Sequence, residues 1–345
     1  MSFAERPTFT ILVAAYNSEK YLRVCLDSLK NQSLSNIQII CIDDCSEDST
    51  WDIMQEYAAN DNRFVLIRNT ENLGPSKSRN KGIDVATGEY ICFLDSDDWF
   101  NRDSLQKTYD IFLSDKQIDC VLFDLILQHV SDSGDMVAER FQPSTPFATP
   151  LPKIITGLEA LEYSIDWRIH GVYAAKTELF VKYPYDTTCR FYSDDNTTRI
   201  QYLHSKKVAF GNGIYNYRRF KQSGTSVISI HSFDHMLANL SLRKQLINEG
   251  VDDKIMSILE THRFRLLLSS FRTWWLNKSC FDSQETKTIK NLMKDVYNSL
   301  DKSKISRKGT NKFGYIPFNN YTLFYIEQYI FWTIRTILKM DKSKQ

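Results

Sequence analysis

The sequence predicts an α/β fold: a mostly parallel sheet flanked by helices, with a helical region after it. Three observations carry that prediction. Apolar runs of strand length alternate with amphipathic stretches over the first hundred residues. A polar cluster follows each run, as expected where parallel strands end on one rim. Beyond about residue 230 the hydrophobic spacing is helical.

Taken in order, residues 9–16 (FTILVAAY) read as a buried first strand. Residues 18–32 place Tyr21, Leu22, Cys25, Leu26 and Leu29 on one helical face. Residues 37–43 (IQIICID) are β-branched and apolar, hence a second strand. Ser49-x-x-Asp52 predicts a capping box at the start of a helix over 49–61. Residues 64–69 supply a third strand. Pro75 marks a helix start and Gly88 its C-terminal stop, over 74–88. Residues 89–95 (EYICFLD) supply a fourth strand. From about 100 to 225 the pattern is less regular, and residues 141–152 hold four of the eight prolines, a loop or linker. Residues 302–312 read as an exposed basic loop. No internal repeat or low-complexity segment is present.

The 345 residues can bury a sizeable core and are long for one compact domain. The 43 Lys and Arg against 42 Asp and Glu leave a formal charge of +1, which excludes a global field for nucleic acid. Seven Cys without a Cys-x-x-Cys pair read as buried free thiols. Glu5 and Arg6 precede the first apolar run, so no signal peptide is expected. No stretch reaches the ~20 uninterrupted apolar residues of a membrane span. The expected location is cytoplasmic.

The strand at 91–94 runs into Asp95, Asp97 and Asp98. A hard cation such as Mg²⁺ or Mn²⁺ with a diphosphate would relieve that repulsion. The alternative is an Asx turn with capping by Asp98. Asp43 and Asp44 follow the second strand, where a carboxylate can accept the N3–H of uracil or can cap a loop. Arg79 lies on the helix opening near the same rim, facing a nucleotide or solvent.

Together, "ILVAAYNSEKYL", "DDCSEDST", "NLGPSKSRNKGI", "ATGEYICFLDSDDW", "FYSDDNTTRIQYL" and "YNYRRFKQSGTS" resemble the inverting nucleotide-sugar glycosyltransferases of family 2, which have the GT-A fold. The likeness is specific over 9–100, looser over 101–226 and absent as a motif beyond. It implies a catalytic domain over 1–226, with 1–100 the nucleotide-binding half and 101–226 the acceptor half. A helical domain over 227–345 follows. It implies that Asp44 binds uracil with Asp43 nearby, that Arg79 assists and that Tyr16 borders the base. It implies that Asp97 and Asp95 bind Mn²⁺ or Mg²⁺, with a UDP-sugar as donor. The family's acidic pair matches Asp194-Asp195, making Asp195 the catalytic base. Arg218 and Ser226 become diphosphate or lid residues. The acceptor is expected to be a glycan or lipid-linked hydroxyl in surface polysaccharide or lipooligosaccharide synthesis. Two departures stand out: Ala14-Ala15 where the family usually has Pro, and Asp194 where it usually has Glu. The first bears on loop rigidity, the second on acceptor choice.

Two other readings stay open. A sugar-phosphate nucleotidyltransferase would normally carry a Gly-rich phosphate loop near the first strand, and "VAAYNSEKYL" has no glycine. A catalytically silent carbohydrate-binding scaffold would be marked by loss of the base. His231 and His235 lack a third ligand, so a solvated or capping role is expected. Trp274-Trp275 read as core packing. Residues 319–344 show an aromatic face and a polar stripe with Gln328, Arg335, Lys339 and Lys342. That pattern fits an interfacial helix at the inner membrane's cytoplasmic face, a helix packed on the protein, or a homo-oligomer contact.

Overall fold

The computed structural model describes residues 6–130, 136–142, 153–219, 228–308, 310, 312–338 and 340. The chain divides into two compact units, Met1–Ser223 and Gly224–Gln345.

The first unit opens as a repeating strand–helix pattern. Its members are β1 (Phe9–Ala15), α1 (Glu19–Lys30), β2 (Ile37–Asp43), α2 (Thr50–Asn60), β3 (Phe64–Arg68), α3 (Pro75–Asp84) and β4 (Tyr90–Phe93). Strands β1 to β4 are parallel, in the order β3-β2-β1-β4. Both faces of β1 and β2 are covered, which is why their sequences are continuous apolar runs rather than alternating ones.

After β5 (Trp99–Phe100) and α4 (Ser104–Ser114) come β6 (Ile118–Val130), β7 (Met136–Arg140), β8 (Ile154–Thr156) and α5 (Gly157–Ile165). Then follow β9 (Tyr173–Lys176), α6 (Thr177–Lys182), α7 (Ser193–Leu203) and β10 (Lys207–Arg219). Here the sheet becomes mixed. Strand β9 inserts antiparallel between β4 and β6, whereas β10 runs parallel to β6. The first four strands are parallel, as expected, and the later half is mixed, with β10 still parallel to β6.

Side chains from α1, α2 and α4, among them Leu22, Met54 and Phe112, pack one face of the sheet. Ile83 of α3, Ala160 of α5, Phe180 of α6 and Tyr202 of α7 pack the other.

The second unit holds α8 (Asp234–Asn248), α9 (Asp253–Leu276), α10 (Ser283–Ser299) and α11 (Tyr321–Ile337). Trp274 and Trp275 are in its core with Phe271, Tyr297 and Phe324. Glu260 ties α8 to α9: its buried carboxylate takes Arg243 Nε at 2.6 Å and Arg263 Nη1 at 2.7 Å.

Three local expectations are corrected. Ser49 does not cap α2; instead Asp48 Oδ1 accepts the Thr50 N–H and Glu19 accepts that of Ser49. Helix α3 stops at Asp84, and Gly88 sits instead against β1, where a Cβ would lie 2.5 Å from Thr10 N. In α11 the polarity is inverted. Gln328 is buried with Glu327, both bonded to Gly314, while Leu323, Ile326, Ile330, Ile334 and Ile337 are exposed. Residues 143–152 of the proline-rich stretch, and Lys339 and Lys342 of the predicted stripe, lie outside the described residues.

Candidate active site

The loops after β1, β2, β3 and β4 meet at the carboxyl end of the parallel strands, as such sheets dictate. They are stitched together by small polar side chains. Asn17 N–H donates to Ser46 Oγ (3.0 Å), Ser18 N–H to Thr50 Oγ1 (2.7 Å), and the Ser18 and Ser96 hydroxyls bond at 2.8 Å. Asn17 and Cys45 adopt left-handed backbone within two of these loops. Tyr16 stands exposed on this rim.

Asp44 is buried and accepts four hydrogen bonds. Asn69 Nδ2 (2.7 Å), Leu73 N–H (2.9 Å) and Ser78 Oγ (2.9 Å) reach Oδ1, and Gly74 N–H (2.8 Å) reaches Oδ2. It thereby fixes the loop that delivers α3. Asp43 is wholly buried instead of facing the cleft, with Arg68 Nε 3.0 Å from Oδ2 and Ser46 N–H donating to Oδ1.

Arg79 projects from α3 and is buried. Its Nη2 donates to Asp95 Oδ1 at 2.5 Å, and its guanidinium lies over the rings of Phe93 and Tyr185. Burial opposes its charge, yet Asp95, followed by Tyr185 and Asp194, holds its pKa above the ordinary value. The acidic turn after β4 and the acidic pair on α7 thus act on the same guanidinium.

The acidic turn has two supports on β10, Arg218 and, passed over by the sequence reading, Tyr215. Tyr215 Oη on β10 donates to Asp98 Oδ2 at 2.7 Å and accepts the Asp95 N–H at 3.1 Å. Arg218 N–H donates to Asp98 Oδ1 at 2.7 Å. Asp98 therefore faces inward as the anchor, and burial, with Asp95 and Asp97 adding, pushes its pKa well above the carboxylate range. Arg218 Nε donates to the Asp97 carbonyl at 2.9 Å, and its guanidinium is sandwiched between Tyr21 and Trp99. The signal for Tyr215 was present: it is the first tyrosine of "YNYRR".

Asp97 is pushed up to about 6, by burial first and by Asp95 next. That crowding is what a divalent cation would relieve. Among the described residues no three His, Cys, Asp or Glu side chains form a closed metal cluster. Two carboxylates still fit Mg²⁺ or Mn²⁺, which are held by one or two carboxylates with the remaining positions left to water and substrate phosphate.

Asp194 and Asp195 occupy the first turn of α7, entered through Tyr192 in left-handed backbone. Burial lifts Asp195 to about 7, against the pull of Arg199 and with help from Asp194. Arg199 is buried and bonded to the Ser164 carbonyl at 3.2 Å. Tyr185 is buried beside this group, and its Oη has no hydrogen-bond partner among the described residues. Ser226 lies outside the described residues. His231 bonds Asp234 and His235 bonds Ser270, so both are structural.

An α/β unit with an Asp-x-Asp turn, a buried arginine and an acidic helix start on one strand rim defines a GT-A domain. Residues 10–149 match the sequence model of Glycosyl transferase family 2. It is 30% identical over 225 residues to the minor teichoic acid biosynthesis protein GgaA of Bacillus subtilis (strain 168), covering 64% of this chain and 49% of GgaA. The chain thus spans about half the length of that curated relative. Residues 1–349 of S. aureus TarS, solved in complex with UDP-GlcNAc, superpose with a TM-score of 0.65 at 21% identity, covering 86% of this chain and 82% of that 1–349 chain. The mannosyltransferase PcManGT from Pyrobaculum calidifontis, in complex with GDP-Man and Mn²⁺, gives a TM-score of 0.50 at 14% identity over 83% of this chain and 79% of PcManGT. Both structures share the fold.

Proposed function

We propose that the chain is an inverting glycosyltransferase that moves a sugar from a UDP-sugar to a hydroxyl of a glycan or lipid-linked acceptor in surface polysaccharide synthesis. The observation that carries this is the convergence of Asp95 and Asp194 on Arg79, with Asp97 and Asp195 next to them in the chain. UDP-GlcNAc bound to TarS supports a uridine nucleotide, and Mn²⁺ bound to PcManGT supports a metal.

In this reading Tyr16 borders the base, and Asp44, with one Oδ2 lone pair left over, accepts the uracil N3–H. Asp97 and Asp95 hold Mn²⁺ or Mg²⁺, which when bound supplies charge neutralisation for the departing diphosphate. Arg79 orients Asp95 for that task, and Arg218 stiffens the turn from behind. The acceptor oxygen attacks the anomeric carbon while its proton passes to Asp195. The bond from that carbon to the diphosphate oxygen breaks, and its electron pair leaves with UDP. One displacement inverts the configuration, so an α-linked donor gives a β-glycoside. A base poised near neutral pH suits this step.

Peripheral membrane contact runs through α11, whose exposed face from Leu323 to Ile337 carries no charged side chain. No helix among the described residues is long and apolar enough to cross a membrane.

The direct test titrates UDP by calorimetry with Mn²⁺ and with chelator, then screens nucleotide sugars for metal-dependent hydrolysis. The expected result is UDP binding that requires the metal, with one UDP-sugar hydrolysed. Equal affinity in chelator removes the metal assignment.

A further inference from the structure

The second unit has a cavity of about 300 Å³ whose chemistry the transfer reaction does not use. Arg265 and Arg272 of α9 and Arg335 of α11 line it, above Trp332, Phe331 and Tyr315. The Arg272 guanidinium lies 6.0 Å from the Trp332 ring centroid and that of Arg335 lies 5.6 Å from it. Arg265 and Arg272 are exposed, so the three cations cost little in water, and together they set a positive field that favours an entering anion. Neither Arg265 nor Arg272 has a carboxylate partner among the described residues. By contrast, the neighbouring cations Arg243 and Arg263 share Glu260.

A second observation is independent of charge. Trp332 is 8% exposed, and its indole Nε1 is buried with no acceptor among the described residues. An unpaired buried donor costs on the order of 1–3 kcal/mol. Gln328 Nε2 and Glu327 Oε1 are already spent on the carbonyl and N–H of Gly314, which sits at a φ of +87°. The cavity therefore presents arginine donors and an aromatic floor.

We propose that this cavity is a binding site for a phosphate ester. Arginine forks match phosphate oxygens in a bidentate geometry that a point charge would not need. The aromatic wall takes the organic part of the ester, and the volume admits a phosphate with a short polyol or headgroup. The same phosphoester chemistry can arrive on a soluble glycerol phosphate or on a phosphatidylglycerol headgroup.

Calorimetry on the full chain with sn-glycerol 3-phosphate tests the proposal, run in chelator so that the metal-dependent rim is silent. Flotation with phosphatidylglycerol vesicles against phosphatidylcholine vesicles forms the second arm. Saturable binding that weakens at least roughly 10-fold in both Arg265→Ala and Arg272→Ala, and less in Arg272→Lys, is expected. Binding of the soluble ester assigns a soluble source; binding only to phosphatidylglycerol vesicles, lost in the same variants, assigns the lipid. Circular dichroism checks that each variant is folded, and metal-dependent UDP binding should stay unchanged in all of them. No saturable binding in either arm, or binding indifferent to both arginines, overturns the proposal while leaving the transferase reading untouched.

Discussion

At the scale of single residues, Asp195 is the most informative group. Its carboxyl is raised to about 7, chiefly by burial. A base must be ionised, so transfer should rise about tenfold per pH unit below 7 and level off above it. The linkage has the opposite sign. The folded state holds a proton on Asp195 that the unfolded chain releases near the ordinary aspartate value of about 4. Stability contributed by this group is therefore present below about 4 and is lost as pH rises through 7. A pH–rate profile without an acidic limb would contradict the assignment. Tyr215 offers a second residue-scale prediction. Tyr215→Phe removes the Asp98 donor and the Asp95 N–H acceptor together. It should cost about 1–3 kcal/mol in denaturant titration and weaken UDP–metal binding more than acceptor KM.

At the scale of elements, α11 departs most from the polar stripe its sequence suggests. Seventeen residues carry two charged side chains, Glu327 and Arg335, and the former is buried on Gly314. The exposed face left over is aliphatic, which in a folded protein marks a surface to be covered. Vesicle binding should fall several-fold in Ile330→Ser/Ile334→Ser, with donor hydrolysis intact. A dimer that dissociates in that variant, with vesicle binding unmoved, would transfer the face to a second copy.

The elements also mark how far the sequence could be read. β1 to β4 were legible because strands buried on both faces are continuous apolar runs. β6, β9 and β10 were not, because nothing local declares that β9 enters antiparallel between β4 and β6. Capping was misread at Ser49 because Asp48 and Glu19, the latter distant in sequence, outcompete it. The same holds at the site. The carboxylates were visible as a motif, but the inward turn of Asp98 depends on Tyr215, which is 117 positions away.

At the scale of the whole molecule, the proposed reaction divides donor and acceptor chemistry between distant parts of one chain. The donor side rests on Asp44, Arg79, Asp95 and Asp97, from loops after β2 to β4. The acceptor side rests on the first turn of α7, about a hundred residues later. That division is the central claim, and one paired measurement tests it: UDP–Mn²⁺ affinity and sugar transfer in Asp195→Asn and Asp97→Asn. The amide at 195 is nearly isosteric and removes only the proton acceptor. Transfer by Asp195→Asn should fall by roughly 10²-fold or more with little change in UDP–Mn²⁺ affinity, whereas Asp97→Asn should lose both. Near-full transfer by Asp195→Asn, or a loss of UDP binding as large as that of Asp97→Asn, would contradict the account.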